Sequence, residues 1–401
     1  MDDDTAPTAL DRTIGLRLGS IRNARKKSQR VIAELAGISA SHLSRLESGE
    51  RSVDRLSLIV ALANALEIAP SELTRLPIPA PANGHTDSPV EAVHRALRAA
   101  GCGWPGGLVL PVDVLRSRVA EVQRRRRDGE FADVGTALPS LIADLYTSIA
   151  TGRDTAELLP LAVLLHVQVI NMWLKDAGAP VDLLGQVADL ALGAAREHGD
   201  LTTLGLAKFG SVYGLLAAGL FDLAQAELDS ITLPATTPEN AGLMCVLTMT
   251  HSMVATLDKR PGDAAAPMEA ATELAERLGE DDPLGFGFGP TSLRSRWISI
   301  ALEEDEPERA VIIAEDVRPE RLPFATRKAG YWVDYGRAMA RLRGRHDDAV
   351  GALRRAERIH PHRVHRDPLA REVLAELVPR SKQDAVGREL RGMAYRAGLL
   401  G

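Results

Sequence analysis

Cysteine is almost missing from this chain. Cys102 and Cys245 are the only two in 401 residues, and neither sits in a paired motif. That excludes a disulfide framework and fits a reducing cytoplasm. No uninterrupted apolar run reaches ~18 residues, and the start of the chain is Asp-rich, so neither a membrane span nor a secretory signal is expected. Also missing are a Gly-x-x-x-x-Gly-Lys-Ser/Thr phosphate loop, a Gly-x-Ser-x-Gly elbow and a His-Glu-x-x-His pair. A catalytic reading has nothing to rest on, and no cofactor or metal is expected. His360, His362 and His365 are interrupted by Pro361 and have no Cys or carboxylate at ligand spacing, so they read as a loop after a helix. Gly285, Gly287 and Gly289 imitate a dinucleotide loop, but no strand precedes them and Pro290 follows, which makes them a turn. Strand-like alternation is scarce throughout, and the fold class is all-α.

The charge is unevenly placed. The chain carries a net charge of −6, yet residues 10–76 hold 11 Lys/Arg against 7 Asp/Glu, a balance of +4, and the remainder balances at −10. A basic head on an acidic body concentrates attraction for DNA on the head. Within that head, Val31, Ile32, Leu35 and Ala36 fall at helical spacing with Ser28 as N-cap. Gly37 stops the helix, since glycine takes the left-handed conformation without steric cost. Ser39 then caps a second helix whose buried side is Leu43 and Leu46. Two short helices joined by a tight Gly-containing turn make a helix-turn-helix. Leu16, Leu18 and Ile21 give a preceding helix; the Leu56–Leu66 run gives a fourth and Pro70–Leu73 a short fifth. Arg25, Lys26, Lys27 and Arg30 cluster at the entrance of the pair, where backbone phosphate contact is expected.

Arg22, Gln29, Leu35-Ala36, Gly37, Leu43, Leu46-Glu47, Gly49 and the Leu62–Leu66 run together resemble the Cro/phage-repressor, or XRE-type, helix-turn-helix regulators over residues 12–76. The resemblance implies that the second helix of the pair lies in the major groove of double-stranded DNA. Ala40, Ser41 and Arg45 would then face base edges, with Ser39, His42, Ser44 and Ser48 close by. Gln29 would position the backbone or contact a base, and Arg22 and Glu47 would form an internal ion pair. Ala40 would offer only apolar contact, such as a thymine methyl.

Beyond residue 76 the chain divides further. Residues 1–9 read as a disordered acidic arm and 77–110 as a Pro-rich linker with a short helix, Val90 to Ala100. From 111 to 401 the pattern is helical, and it repeats. Ala349/Leu353/Ala356, followed by Pro361, shows the small-residue spacing of a tetratricopeptide second helix. The same spacing occurs at Ala188/Leu192/Ala195, Ala224/Leu228/Ile231, Ala264/Met268/Ala271 and Ala310/Ala314/Val317, with starts 36, 40, 46 and 39 residues apart. Stacked hairpins form a TPR-like α-solenoid. Arg124-Arg125-Arg126-Arg127 ends a helix, where positive charge complements the dipole, and reads as a solvated helix end.

Phe288-Gly289-Pro290-Thr291, Tyr331-Trp332-Val333-Asp334 and Arg371–Leu377 resemble the C-terminal halves of actinobacterial XRE-type regulators. The whole is similar in architecture to peptide-responsive quorum-sensing regulators. Such a resemblance implies a cytoplasmic, homodimeric transcriptional regulator that reads an inverted repeat and senses a peptide or small molecule. An adaptor whose solenoid binds a partner protein is the alternative. Groove-lining candidates on first helices of hairpins are His166, Asn171, Trp173, Tyr213, His251, Arg294, Arg296, Trp297 and Tyr331, with Trp332 and Arg337.

Overall fold

The computed structural model of the chain describes residues 13–74, 88–233, 237–279, 284–287 and 289–400, and every regular element among them is helical. The expected arm and Pro77, Pro79 and Pro81 of the expected linker lie outside the described residues. Packing divides the chain into two compact units, one of residues 1–79, 294–320 and 327–401, the other of residues 80–293 and 321–326. The sequence pattern places boundaries at 76 and 111. By packing, the head instead shares its unit with the C-terminal helices, and the helix after the prolines belongs to the second unit.

The head is built by local signals. Thr13 caps α1 (Ile14–Ala24), Ser28 caps α2 (Gln29–Leu35) and Ser39 caps α3 (Ala40–Glu47), each side chain accepting from a backbone N–H of the first turn. Gly37 and Gly49 follow α2 and α3 at φ of +70° and +72°. α4 (Leu56–Leu66) and α5 (Pro70–Thr74) complete the five helices. Leu18, Ile32, Leu43, Leu46, Leu62 and Leu73 are fully buried in one core. Val31 and Leu35 differ from expectation: both are exposed, Leu35 to 64%, because the short α2 buries Ile32 and Ala33 and is followed by buried Ala36. α1 lies so close to α3 that a Cβ on Gly15 would sit 2.0 Å from the Leu46 carbonyl oxygen. Gly15→Ala should therefore lower the melting temperature, by about 1–3 kcal/mol of overpacking, although alanine is worth ~1 kcal/mol more than glycine within an exposed helix. A thermal melt followed by circular dichroism checks this, and an unchanged or raised midpoint would rule it out.

The rest of this unit comprises most of α16 (Pro290–Glu303), α17 (Pro307–Asp316), most of α18 (Ala325–Ala340), α19 (His346–Ile359), α20 (His362–His365), α21 (Pro368–Leu377) and α22 (Ala385–Arg396). Of the spaced positions in this unit, Ala310, Ala314, Ala349, Leu353 and Ala356 are fully buried. A Cβ on Gly336 would lie 3.0 Å from Leu353 Cγ, so α18 and α19 need that glycine to approach.

These helices also hold the head. Arg55, at the start of α4, contributes no side-chain cap; both Glu303 oxygens do so instead, accepting from Leu56 N at 2.9 Å, Ser57 N at 3.2 Å and Ser57 Oγ at 2.9 Å. Glu372, fully enclosed, accepts from Ile14 N at the start of α1 at 2.6 Å and from Val53 N at 3.4 Å. Ser52 N donates to Glu376 at 2.9 Å. In return Arg337 donates to Asp54 O at 2.6 Å, and Arg380 to Glu50 O at 2.7 Å. Leu369 packs on the head's core.

The second unit contains α6 (Ser88–Gly101), α7 (Val112–Asp128), α8 (Phe131–Ala150), α9 (Thr155–Leu164), α10 (Asn171–Ala177), α11 (Val181–His198), α12 (Leu201–Ala218), α13 (Phe221–Asp229), α14 (Pro238–Leu257) and α15 (Ala265–Leu278). α9 is packed with α11, α12 with α13, and α14 with α15. Ile231 falls after the end of α13 rather than on it. Between α9 and α10 the helix widens into a π-turn, Leu165–Ile170, where Asn171 N bonds His166 O. Among the described residues three helices, Thr155–Ala177, Leu201–Ala218 and Pro238–Leu257, are long and apolar enough by length and composition to cross a membrane; 72%, 50% and 67% of their most apolar windows are buried inside the protein. Scattered polar residues such as His166, Gln168 and Asn171 keep these segments from reading as uninterrupted runs.

The arginine run is only half the solvated helix end expected. Arg124 and Arg125 are paired with Glu121. Arg127 turns inward, donating to Gly285 O at 3.3 Å with its guanidinium 5.1 Å from the Phe324 ring centroid. Arg126 is enclosed enough that burial lowers its pKa to about 10. Asp176 acts on Arg126, and Gly285 and Phe324 hold Arg127.

Candidate nucleic-acid interface

α3 presents one face to the core and the other to solvent because Leu43 and Leu46 alternate with polar residues at helical spacing. Ala40, Ser41, Ser44, Arg45 and Ser48 are exposed, and His42 is half-buried. Ser39 Oγ accepts from His42 N at 3.1 Å and lies 3.1 Å from Ser41 Oγ, while Ser48 Oγ donates to Arg45 O at 3.1 Å. Burial, and the positive charges of Arg51, Arg55 and Arg45, hold the His42 imidazole below its ordinary range. His42 thus meets a partner as a neutral ring, able to donate from one nitrogen and accept at the other.

α3 is fixed to the supporting helices through Glu47. Arg22 forks onto both carboxylate oxygens, Nε to Oε1 at 2.5 Å and Nη2 to Oε2 at 2.9 Å, and both side chains are largely enclosed, at 12% and 9% exposure. This is the ion pair expected between those positions. Gln29 Nε2 donates to the same carboxylate at 2.7 Å. The Gln29 amide is therefore committed to Glu47 and shapes the interface from behind, rather than reaching toward a base. Such bidentate, charge-assisted bonding sets the angle of α3 as well as its position.

Lys26, Lys27 and Arg30 are exposed beside the start of α2, as expected of phosphate-contacting residues. Lys26 takes φ of +53° to turn the chain between α1 and α2. Arg25 differs from the expectation for this cluster. Its guanidinium caps the end of α4, donating to Leu66 O and, at 3.3 Å, to Glu67 O, so positive charge meets the negative end of that helix. Arg51 and Arg55, which the motif does not single out, lie close enough to influence His42. Arg51 N bonds back to Arg45 O at 3.0 Å, which brings this loop against α3. The two arginines in the segment between Gly49 and α4 are the signal that could have marked them.

The groove candidates are divided between the two units. His166, Asn171 and Trp173 gather at the π-turn but are buried: His166 Nε2 lies 2.7 Å from Tyr146 Oη, Asn171 Nδ2 donates to Gly210 O, and Trp173 Nε1 donates to Phe131 O while its ring stacks on Phe131. Burial drives His166 down to about 3, so it is neutral. Tyr213 packs edge-on against Phe209, and His251 bonds Gln225 at 3.0 Å. Arg294, Arg296, Trp297 and Tyr331 belong to the other unit. There Arg294 pairs with Asp316, Arg309 lies over the Trp297 ring, Arg296 is half-buried and Tyr331 Oη donates to Ala314 O. Trp332 stacks under Arg355, and Arg337 bonds Asp334. His166, Asn171, Trp173, Tyr331 and Arg337 are buried and most of the others half-buried, so within each unit these aromatic and polar groups satisfy one another. Among the described residues no group of His, Cys, Asp or Glu could hold a metal ion.

No curated protein and no solved structure matches the chain. Residues 13–76 match the family model of a helix-turn-helix domain, and with α3 exposed beside a basic patch, the chain carries a helix-turn-helix DNA-binding domain at its N-terminal end.

Proposed function

We propose that the protein is a sequence-specific transcriptional regulator of the XRE type, which reads an inverted repeat as a homodimer. The observation that carries this is the exposed polar face of α3, held rigid by Arg22 and Gln29 on Glu47, beside exposed Lys26, Lys27 and Arg30. One head offers few base contacts, and domains of this kind pair half-sites about one helical turn apart. The regulatory input, a peptide or small molecule, enters through a TPR-like body. Hairpins in repeated order, packed on small residues, support that architecture.

Within this reading Arg45 carries base readout, while Lys26 and Lys27 carry general attraction. Arg45 lies on the exposed side of α3, and a bidentate bond to a guanine edge is worth ~1–3 kcal/mol of discrimination. Arg45→Ala is expected to weaken operator binding, relax one base position per half-site and leave random-sequence DNA little affected. Neutralising Lys26 or Lys27 should weaken both kinds of DNA and lower the salt slope by about 1 for each phosphate left without its cation. Fluorescence anisotropy on operator and scrambled duplexes at several salt concentrations separates the two. Equal losses on both duplexes for Arg45→Ala would make Arg45 a phosphate anchor instead. Light scattering that shows a monomer both free and on operator DNA would remove the dimer.

A further inference from the structure

The loop leaving the recognition helix, together with the first turn of α4, is held by acidic side chains of the C-terminal helices. Amides at a helix start are natural seats for phosphate oxygens, and here the Glu303 carboxylate covers both Leu56 N and Ser57 N. Glu376 covers Ser52 N. Arg55, one of the cations felt by His42, stands 3.6 Å from Asp305. These groups flank the base-reading face, because the loop they hold returns onto α3, with Arg51 N bonding Arg45 O at 3.0 Å. A duplex entering α3's side therefore finds these flanking donors occupied.

We propose that this docking is an autoinhibitory contact: the carboxylates of Glu303, Glu376 and Asp305 take the places of DNA phosphates on the loop beside the recognition helix, and full DNA affinity requires the docked head to open. The proposal rests on the DNA-binding reading above. A protein whose competent state is only partly populated shows an affinity reduced by that fraction, so weakening the docking must tighten binding.

The test uses arginines rather than the carboxylates themselves. Arg341 joins Asp54 of the loop, at 3.3 Å, to Asp305, and Arg380 joins Glu50 O to Glu376. Replacing both with glutamine removes two positive charges, which by long-range electrostatics alone should weaken DNA binding. Release of the docked head predicts the opposite sign. For the full-length Arg341→Gln/Arg380→Gln variant, anisotropy titration with a fluorescein-labelled random-sequence duplex at low salt should show binding about tenfold tighter than wild type. Equal or weaker binding by a folded variant overturns the proposal and leaves the DNA-binding reading intact. If neither protein binds any duplex, the DNA-binding reading fails and the proposal fails with it. Should the variant not fold by circular dichroism, hydrogen–deuterium exchange on the wild type decides. Excess duplex should then speed exchange in the peptides covering 369–380 and 299–306, and unchanged or slowed exchange there overturns the proposal.

Discussion

Glu372→Ala should destabilise the unit that contains the head by about 3 kcal/mol or more, and Glu372→Gln should do so in a pH-dependent way. The alanine strips a fully enclosed acceptor from Ile14 N and Val53 N and removes a negative charge that acts on Arg371 and Arg17, both buried. The glutamine keeps an acceptor but cannot titrate. Burial is the largest influence on the Glu372 carboxyl and pushes it up from 4.5 to about 7, against the opposite pull of the two amides and of Arg371 and Arg17. Folded protein therefore binds more protons at this site than unfolded protein does. The stability so gained is fully present below the unfolded value and is lost as pH rises through about 7. Urea denaturation of wild type and Glu372→Gln at about pH 5 and about pH 8 should show the wild-type advantage shrinking by on the order of 2–3 kcal/mol over that range. Other titrating groups, such as Glu357, cancel in the difference. Parallel behaviour of the two proteins would show that the carboxyl is not perturbed by folding.

Glu47→Ala is expected to cost about 3 kcal/mol, because it leaves a largely enclosed guanidinium and the Gln29 amide without their common acceptor. Arg22→Ala leaves the carboxylate a single partner in Gln29 and should cost somewhat less. The pair is in direct contact, so the two losses are not additive, and a double-mutant cycle should return a coupling of ~1–3 kcal/mol. DNA affinity should fall in both variants beyond what their altered charge explains, since α3 loses its fixed angle. Melting midpoints equal to wild type for both single variants would dismiss the bridge as structurally inert.

The head was legible because each of its signals is local. Ser28 and Ser39 cap helices a few residues away, Gly37 and Gly49 end them, and Arg22 and Glu47 fall at positions that resemble a known pair. The exposure of Val31 and Leu35 was not legible, since a helix of seven residues shows too few turns to fix which apolar residues face inward. The packing of α14 on α15 could be read in part from small residues such as Ala264 and Ala271. The π-turn could not, because adding a residue to one helical turn leaves no compositional mark. The acidic holds on the head were hidden for a different reason. Glu303, Glu372 and Glu376 look like ordinary helix-surface carboxylates until the fold brings each to a backbone amide hundreds of residues away.

That separation has a temporal side. The cap on α4 comes from a residue 247 positions later than Leu56, and the cap on α1 from one 358 positions later than Ile14. At ~5–20 residues per second, a ribosome releases the recognition helix roughly 10–70 s before those carboxylates emerge. Throughout that interval water must serve the amides at the starts of α1 and α4, and the nascent head is at its loosest while the body is still being made. A chain interrupted before Glu303 would carry the whole recognition helix with neither of these distant caps.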